Sequence, residues 1–143
     1  MMPESLERIV QAFHDAPSSL RLPLLLEYAG KLPPLPEGMD GSMERVHECQ
    51  TPLFLHAEVT GDGRAQLHFS APEEAPTTRG FAGVISEGLS GVPVDEVLAV
   101  PADFYVAMGL AELISPLRLR GMGAILARAK RQLQEARQAE PRS

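Results

Sequence analysis

The run Leu53-Phe54-Leu55-His56-Ala57-Glu58-Val59-Thr60-Gly61-Asp62-Gly63-Arg64-Ala65-Gln66-Leu67-His68-Phe69-Ser70 decides the fold. On each side of Gly61-Asp62-Gly63 the apolar residues recur at every second position, the mark of a strand with one buried face. Two such runs joined by a Gly-Asp-Gly turn predict a β-hairpin. Pairing Thr60 with Arg64 across the turn sets Val59 opposite Ala65, Ala57 opposite Leu67 and Leu55 opposite Phe69. These apolar pairs share one face, so the register supports itself; a slip by one residue would turn the whole set to solvent. Residues 44–47 are expected to add a short third strand.

Outside this stretch the period is helical. Leu6, Ile9, Val10 and Phe13 fall at i, i+3, i+4 and i+7. Pro17 stops that helix, and Ser18-Ser19 offer an N-cap for a second one running to about Gly30. The segment Leu32-Pro33-Pro34-Leu35-Pro36-Glu37-Gly38-Met39-Asp40-Gly41-Ser42 reads as a loop, because its prolines and glycines interrupt any regular element. Downstream, Phe81, Val84, Ile85 and Leu89 define a helix after the capping candidates Thr77-Thr78. Residues 93–98 and 102–110 read as short helices, and Ser115-Pro116 is a break. Met122, Ile125, Leu126, Ala129 and Leu133 define a last helix, with Arg128, Lys130, Arg131 and Arg137 on its polar flank, where cations near a C-terminus suit the helix dipole. The tail from about residue 139 is expected to fray.

Helices, then a hairpin, then helices predict an α+β fold in which a small antiparallel sheet packs against several helices, as one domain over residues 1–143. The hairpin should bury Leu55, Leu67 and Phe69 against the helices of residues 81–89 and 122–133.

Composition narrows the function classes. Hydrophobic residues make up 44%, charged residues 22% and aromatics 5%, ordinary for a globular domain. A net charge of −6 and the lack of a basic stripe with interleaved aromatics argue against nucleic-acid binding. The most apolar stretch, residues 20–29, is broken by Arg21, Pro23 and Glu27 and is shorter than the ~20 residues of a membrane span. Met1-Met2-Pro3-Glu4-Ser5 has neither the basic nor the apolar region of a secretory leader. With a single cysteine there is no internal disulfide, which suits a reducing compartment. The expectation is a cytoplasmic protein with neither membrane nor nucleic acid as partner.

That cysteine, Cys49, lies in Val46-His47-Glu48-Cys49-Gln50-Thr51-Pro52, between the Pro/Gly-rich loop and the first strand of the hairpin. A lone thiol builds no multi-cysteine metal site. It holds one sulfur atom, or it is an inert core residue, as free cysteines often are. Its polar neighbours and its place outside both alternation patterns favour the first, since loops on a rigid scaffold carry function. Glu44 and Glu48 would not favour a thiolate, so activation must come from elsewhere. His47 beside Cys49, and His56 opposite His68, supply ligand chemistry for a small metal- or cluster-binding protein. The hairpin register turns His56 and His68 to the non-core face, away from Cys49. Gly38-Met39-Asp40-Gly41 is not a phosphate loop, since no strand precedes it and no Lys follows.

Several motifs in order resemble the SufE/CsdE group of sulfur acceptors: Leu32-Pro33-Pro34-Leu35, the Cys49 segment with its hairpin, Arg79-Gly80, Met108-Gly109-Leu110, and Ser115-Pro116-Leu117-Arg118 followed by Gly121. The resemblance runs from about Leu6 to Leu133. It implies a SufE/IscU-like fold and an accessory protein rather than an enzyme. In that role Cys49 takes sulfur from a cysteine desulfurase of the SufS or CsdA kind as a transient persulfide, stimulates the desulfurase, and passes the sulfur to a SufBCD-like iron–sulfur scaffold complex. It implies no resident cofactor or metal, the pyridoxal phosphate belonging to the desulfurase. Gln50 and Arg118 match family positions and are expected to assist. The family pattern usually has Gly before the cysteine and Ser two residues after it. Thr51 keeps the hydroxyl, whereas Glu48 removes backbone freedom and adds a negative charge beside the thiol. IscU-type scaffolds use three cysteines, which this chain lacks. Docking of the desulfurase is expected on residues 33–48 and around Glu73-Glu74, with Glu37, Asp40 and Glu44 completing an acidic rim. The other readings of the residues are the metal- or cluster-binding protein and an interaction module with a buried, inert Cys49.

Overall fold

The computed structural model describes residues 2–139, the side chain of Asp40 aside. Its sheet has three antiparallel strands: β1 (Glu44–Arg45), β2 (Phe54–Val59) and β3 (Ala65–Ser70), in the order β1-β2-β3. The hairpin takes the register that its alternation sets, with Leu55 opposite Phe69, Ala57 opposite Leu67 and Val59 opposite Ala65. The turn closes through the Thr60 N–H donating to Arg64 O at 2.8 Å, and Gly63 supplies the left-handed residue at φ 79°. The third strand is two residues long rather than four. Val46 has left the ladder, although its N–H still donates to Leu53 O at 2.8 Å.

Five helices accompany the sheet among the described residues: α1 (Glu4–Asp15), α2 (Ser18–Gly30), α3 (Pro76–Leu89), α4 (Val94–Leu98) and α5 (Pro116–Ala139). The fold is α+β. The apolar sheet face, with Leu55, Ala57, Ala65, Leu67 and Phe69 all buried, joins one core with Ile85 and Leu89 of α3 and Met122, Ile125 and Leu126 of α5. Helix α5 lies along β2, while α3 packs on β3 and also carries α1 and α2. The approach of α2 to α3 is close because α3 presents glycines there. A Cβ on Gly83 would fall 2.0 Å from the Tyr28 carbonyl oxygen, and one on Gly80 would fall 2.7 Å from that of Leu25. Where β1 ends, Gln132 of α5 takes its place along β2: the Ala57 N–H donates to Gln132 Oε1 at 2.6 Å, and Gln132 Nε2 donates to Leu55 O at 3.3 Å.

Three local readings change. Residues 102–110 do not form an α-helix; they hold a 3-10 turn, Phe104–Met108, ended by Gly109 at φ 70°. Pro101 before it and the left-handed glycine after it leave too short a run for α-helical bonding. The N-cap of α2 is Pro17, with no side-chain capping bond, so Ser18 and Ser19 lie inside the helix. Helix α3 begins at Pro76, so Thr77 and Thr78 lie inside its first turn rather than capping it. By contrast, Ser115 does cap α5, its Oγ accepting from the Arg118 N–H at 3.3 Å with Pro116 as the first helical residue. The expected fraying from about residue 139 concerns residues 140–143, outside the described residues.

Candidate functional site

Val46 and Leu53, both fully buried, are the feet of a loop over residues 47–52, and the hydrogen bond between them closes it. Within the loop the Cys49 N–H donates to Val46 O at 3.1 Å, which folds the chain back and turns the thiol inward. Cys49 is 7% exposed. Its Sγ rests against α5 at Gly121, where a Cβ would stand 3.1 Å from the sulfur. Glycine at 121 therefore gives the sulfur room beside the helix.

A cleft of about 170 Å³ opens beside the thiol. The loop contributes Glu48, Cys49, Gln50 and Thr51 to it; α3 contributes Thr78 and Phe81, and α5 contributes Leu117 and Arg118. The three residues expected at the site, Cys49, Gln50 and Arg118, thus share one cleft. Arg118 is exposed and has no ion-pair partner among the described residues. The first turns of two helices, at Thr78 and at Leu117-Arg118, both reach the cleft.

Two side-chain ties hold the loop. Thr51 and Thr78 share a hydroxyl hydrogen bond of 2.9 Å. On the other side Arg128 of α5 donates to Glu48 Oε1 from Nη2 at 2.7 Å and from Nε at 3.2 Å. The same guanidinium donates from Nη1 to Glu44 Oε2 at 2.6 Å. Arg131 and Gln132 also bond Glu44. The hydrogen bond from Arg128 holds the Glu48 carboxyl below its usual range, and that from Arg131 does so for Glu44. Burial pushes the Cys49 thiol up to about 11; Glu48 adds to the rise and Arg128 opposes it. At rest the thiol is protonated at neutral pH.

His47 sits exposed on the loop itself, whereas the other two candidate histidines stand apart. His56 and His68 stack on the non-core face of the hairpin, 6.3 Å between centroids, and His68 Nε2 meets Glu58 Oε1 at 2.9 Å. Both are half-buried rather than fully turned to solvent. Among the described residues no three His, Cys, Asp or Glu side chains are grouped so as to hold a metal ion. Of the acidic residues expected on a rim, Glu37, Glu73 and Glu74 are exposed. Glu44 is instead engaged by α5, and the Asp40 side chain is outside the described residues. The sequence pattern offers Thr77-Thr78 only as capping candidates and sets Arg128 on the polar flank of the last helix, whereas the structure brings Thr78 and Arg128 to the loop. The one local hint for Thr78 was the hydroxyl kept at Thr51, which needs a partner when half-buried.

The model of the family SufE, described as an Fe-S metabolism associated domain, matches residues 7–133. The chain belongs to the SufE family. It is 54% identical over 136 residues to an uncharacterised SufE-like protein of Mycobacterium tuberculosis, covering 94% of this chain and 95% of that one. It is 26% identical over 101 residues to the cysteine desulfuration protein SufE of Plasmodium vivax, covering 70% of this chain and 40% of that one. Among solved structures it superposes on the solution structure of a hypothetical protein from Thermus thermophilus with a TM-score of 0.88 at 47% identity, covering 97% of this chain and 100% of that one. The family's description associates the domain with Fe–S metabolism. No helix among the described residues is long and apolar enough to cross a membrane.

Proposed function

We propose that this SufE-family protein is a sulfur carrier that accepts persulfide sulfur from a cysteine desulfurase onto Cys49, stimulates that enzyme by unloading it, and delivers the sulfur for iron–sulfur cluster assembly. The observation that carries the reading is the placement of the chain's one thiol on a short loop beside a cleft reached by Arg118 and two helix first turns. The family, and the Plasmodium relative named a cysteine desulfuration protein, support it.

The chemistry needs a single sulfur atom. Cys49 loses its proton, and the thiolate attacks the terminal sulfur of the desulfurase persulfide. The S–S bond of the donor breaks, its cysteine leaves as a thiolate that takes up a proton, and the new S–S bond forms on Cys49. Sulfane sulfur changes carrier without net oxidation, so no external oxidant or reductant enters. In its resting place the thiol is poorly suited to this, being covered and protonated. Swinging residues 47–52 toward the cleft mouth removes the desolvation and brings the sulfur near Arg118 and the positive ends of α3 and α5, which favour a thiolate. Gln50 and Thr51 travel with it as hydrogen-bonding neighbours. The carrier itself needs no cofactor or metal; pyridoxal phosphate works in the partner. The exposed acidic residues Glu37, Glu73 and Glu74 and the loop of residues 33–48 are the proposed docking side, and delivery goes to a cluster scaffold in the cytoplasm.

The burial of Cys49 also favours the competing reading, an interaction module with an inert cysteine. Mass spectrometry after incubation with a cysteine desulfurase and cysteine separates the two. A sulfur-sized gain on Cys49, absent from Cys49→Ser, is expected. A Cys49→Ser protein that still stimulates desulfurase turnover without added reductant would end the carrier reading.

A further inference from the structure

Among the described residues the loop carrying Cys49 has one charged tie to the body of the protein, and its geometry is one-sided. Arg128 is fixed from behind: its Nη1 is bonded to Glu44, which Arg131 and Gln132 hold in turn. Arg128 is also the most covered member of the pair, its side chain 21% exposed against 52% for Glu48. Only Glu48 sits on the loop, and it directly precedes Cys49. If the pair opens, it is Glu48 that leaves, and it takes the thiol with it. The remaining ties are neutral: the Thr51–Thr78 hydroxyl bond, the backbone bond from the Cys49 N–H to Val46 O that folds the loop back, and the contact of Sγ with Gly121.

We propose that Arg128 is the positioning residue of the sulfur-bearing loop: by gripping Glu48 against α5 it keeps Cys49 turned inward, and release of Glu48 lets the thiol reach the cleft mouth. This rests on the carrier reading only for what the released thiol then does. The charged groups around the sulfur are Glu48 on its own loop and Arg118 and Arg128 on α5, while α3 faces it with the neutral Thr78 and Phe81.

The charges make the test decisive, because two roles of Arg128 pull in opposite directions. Acting only through space on a closed loop, Arg128 stabilises the thiolate, so Arg128→Gln would slow alkylation of Cys49 by iodoacetamide at pH 8. Acting as a grip, its loss uncovers the thiol, brings its titration back toward the ordinary range, and speeds alkylation by roughly tenfold or more. The acceleration is expected, with Arg128→Lys returning most of the slow behaviour. Because Arg128→Gln also loosens Glu44, Glu48→Gln is the second variant; it leaves the Glu44–Arg128 bond in place and should speed amide exchange in residues 47–52 alone. An Arg128→Gln protein that alkylates no faster than the parent, or a Glu48→Gln protein with unchanged exchange in residues 47–52, would overturn the proposal. Sulfur uptake from a desulfurase is measured on the same proteins. If none of them, the parent included, gains sulfur, the carrier reading falls while the alkylation result still decides the role of Arg128.

Discussion

Unfolding this protein should speed alkylation of its cysteine by about two orders of magnitude at pH 8. The chain has one cysteine, so a single rate reports a single site. In the fold, burial and Glu48 push the thiol up to about 11, against an ordinary value near 9. The reactive species is the thiolate. At pH 8 roughly one thiol in ten is ionised in the unfolded chain and roughly one in a thousand in the folded one, and 7% exposure slows the reagent further. The assay is timed iodoacetamide labelling followed by mass spectrometry, native and in urea, from pH 7 to 11. The native rate should still be rising above pH 10, where the unfolded rate has levelled. The same shift acts on stability. Because the folded value is raised, the stability linked to the protonated thiol is complete below about pH 9 and is lost as pH climbs through about 11. The loss is roughly 2–3 kcal/mol at full ionisation, and Cys49→Ser should not show it. A native protein that labels as fast as the unfolded chain at pH 8 would refute the inward placement of the sulfur and the argument built on it.

Two further outcomes test the packing. Gly83→Ala should destabilise by roughly 1–3 kcal/mol or more despite the helix propensity it adds, because the new Cβ meets the Tyr28 backbone at 2.0 Å. The same change at Gly30, which has nothing within 4 Å, should stabilise by about 0.4–1 kcal/mol; urea unfolding reads both, and equal signs would contradict the close α2–α3 approach. Leu67→Ala should cost roughly 2–5 kcal/mol in the same assay, since Leu67 is 3% exposed in the main core, and a loss below 1 kcal/mol would place it elsewhere.

The hairpin, its register and the helical faces around Leu6, Phe81 and Met122 were legible in the sequence because they rest on local periodicity. A strand repeats every second residue and a helix every third or fourth, and a core selects apolar side chains on that rhythm. Cys49 stood out for a related reason, as a thiol outside any such rhythm; Gln50 and Arg118 came only through resemblance to a family. Some elements set by their ends were less legible. Residues 102–110 carry apolar side chains at helical spacing, yet Pro101 and Gly109 tighten the segment into a 3-10 turn. Tertiary structure alone decided which way the thiol points and what holds it there. Glu48 and Arg128 lie 80 residues apart, and Thr51 and Thr78 lie 27 apart. Nothing in either neighbourhood selects the partner, because an exposed Arg on the polar flank of a helix satisfies its local pattern equally well with water. The pair forms because α5 lies along β2, bringing Arg128 to the loop that enters that strand, and because Gly121 on the same helix leaves space where Sγ comes to rest.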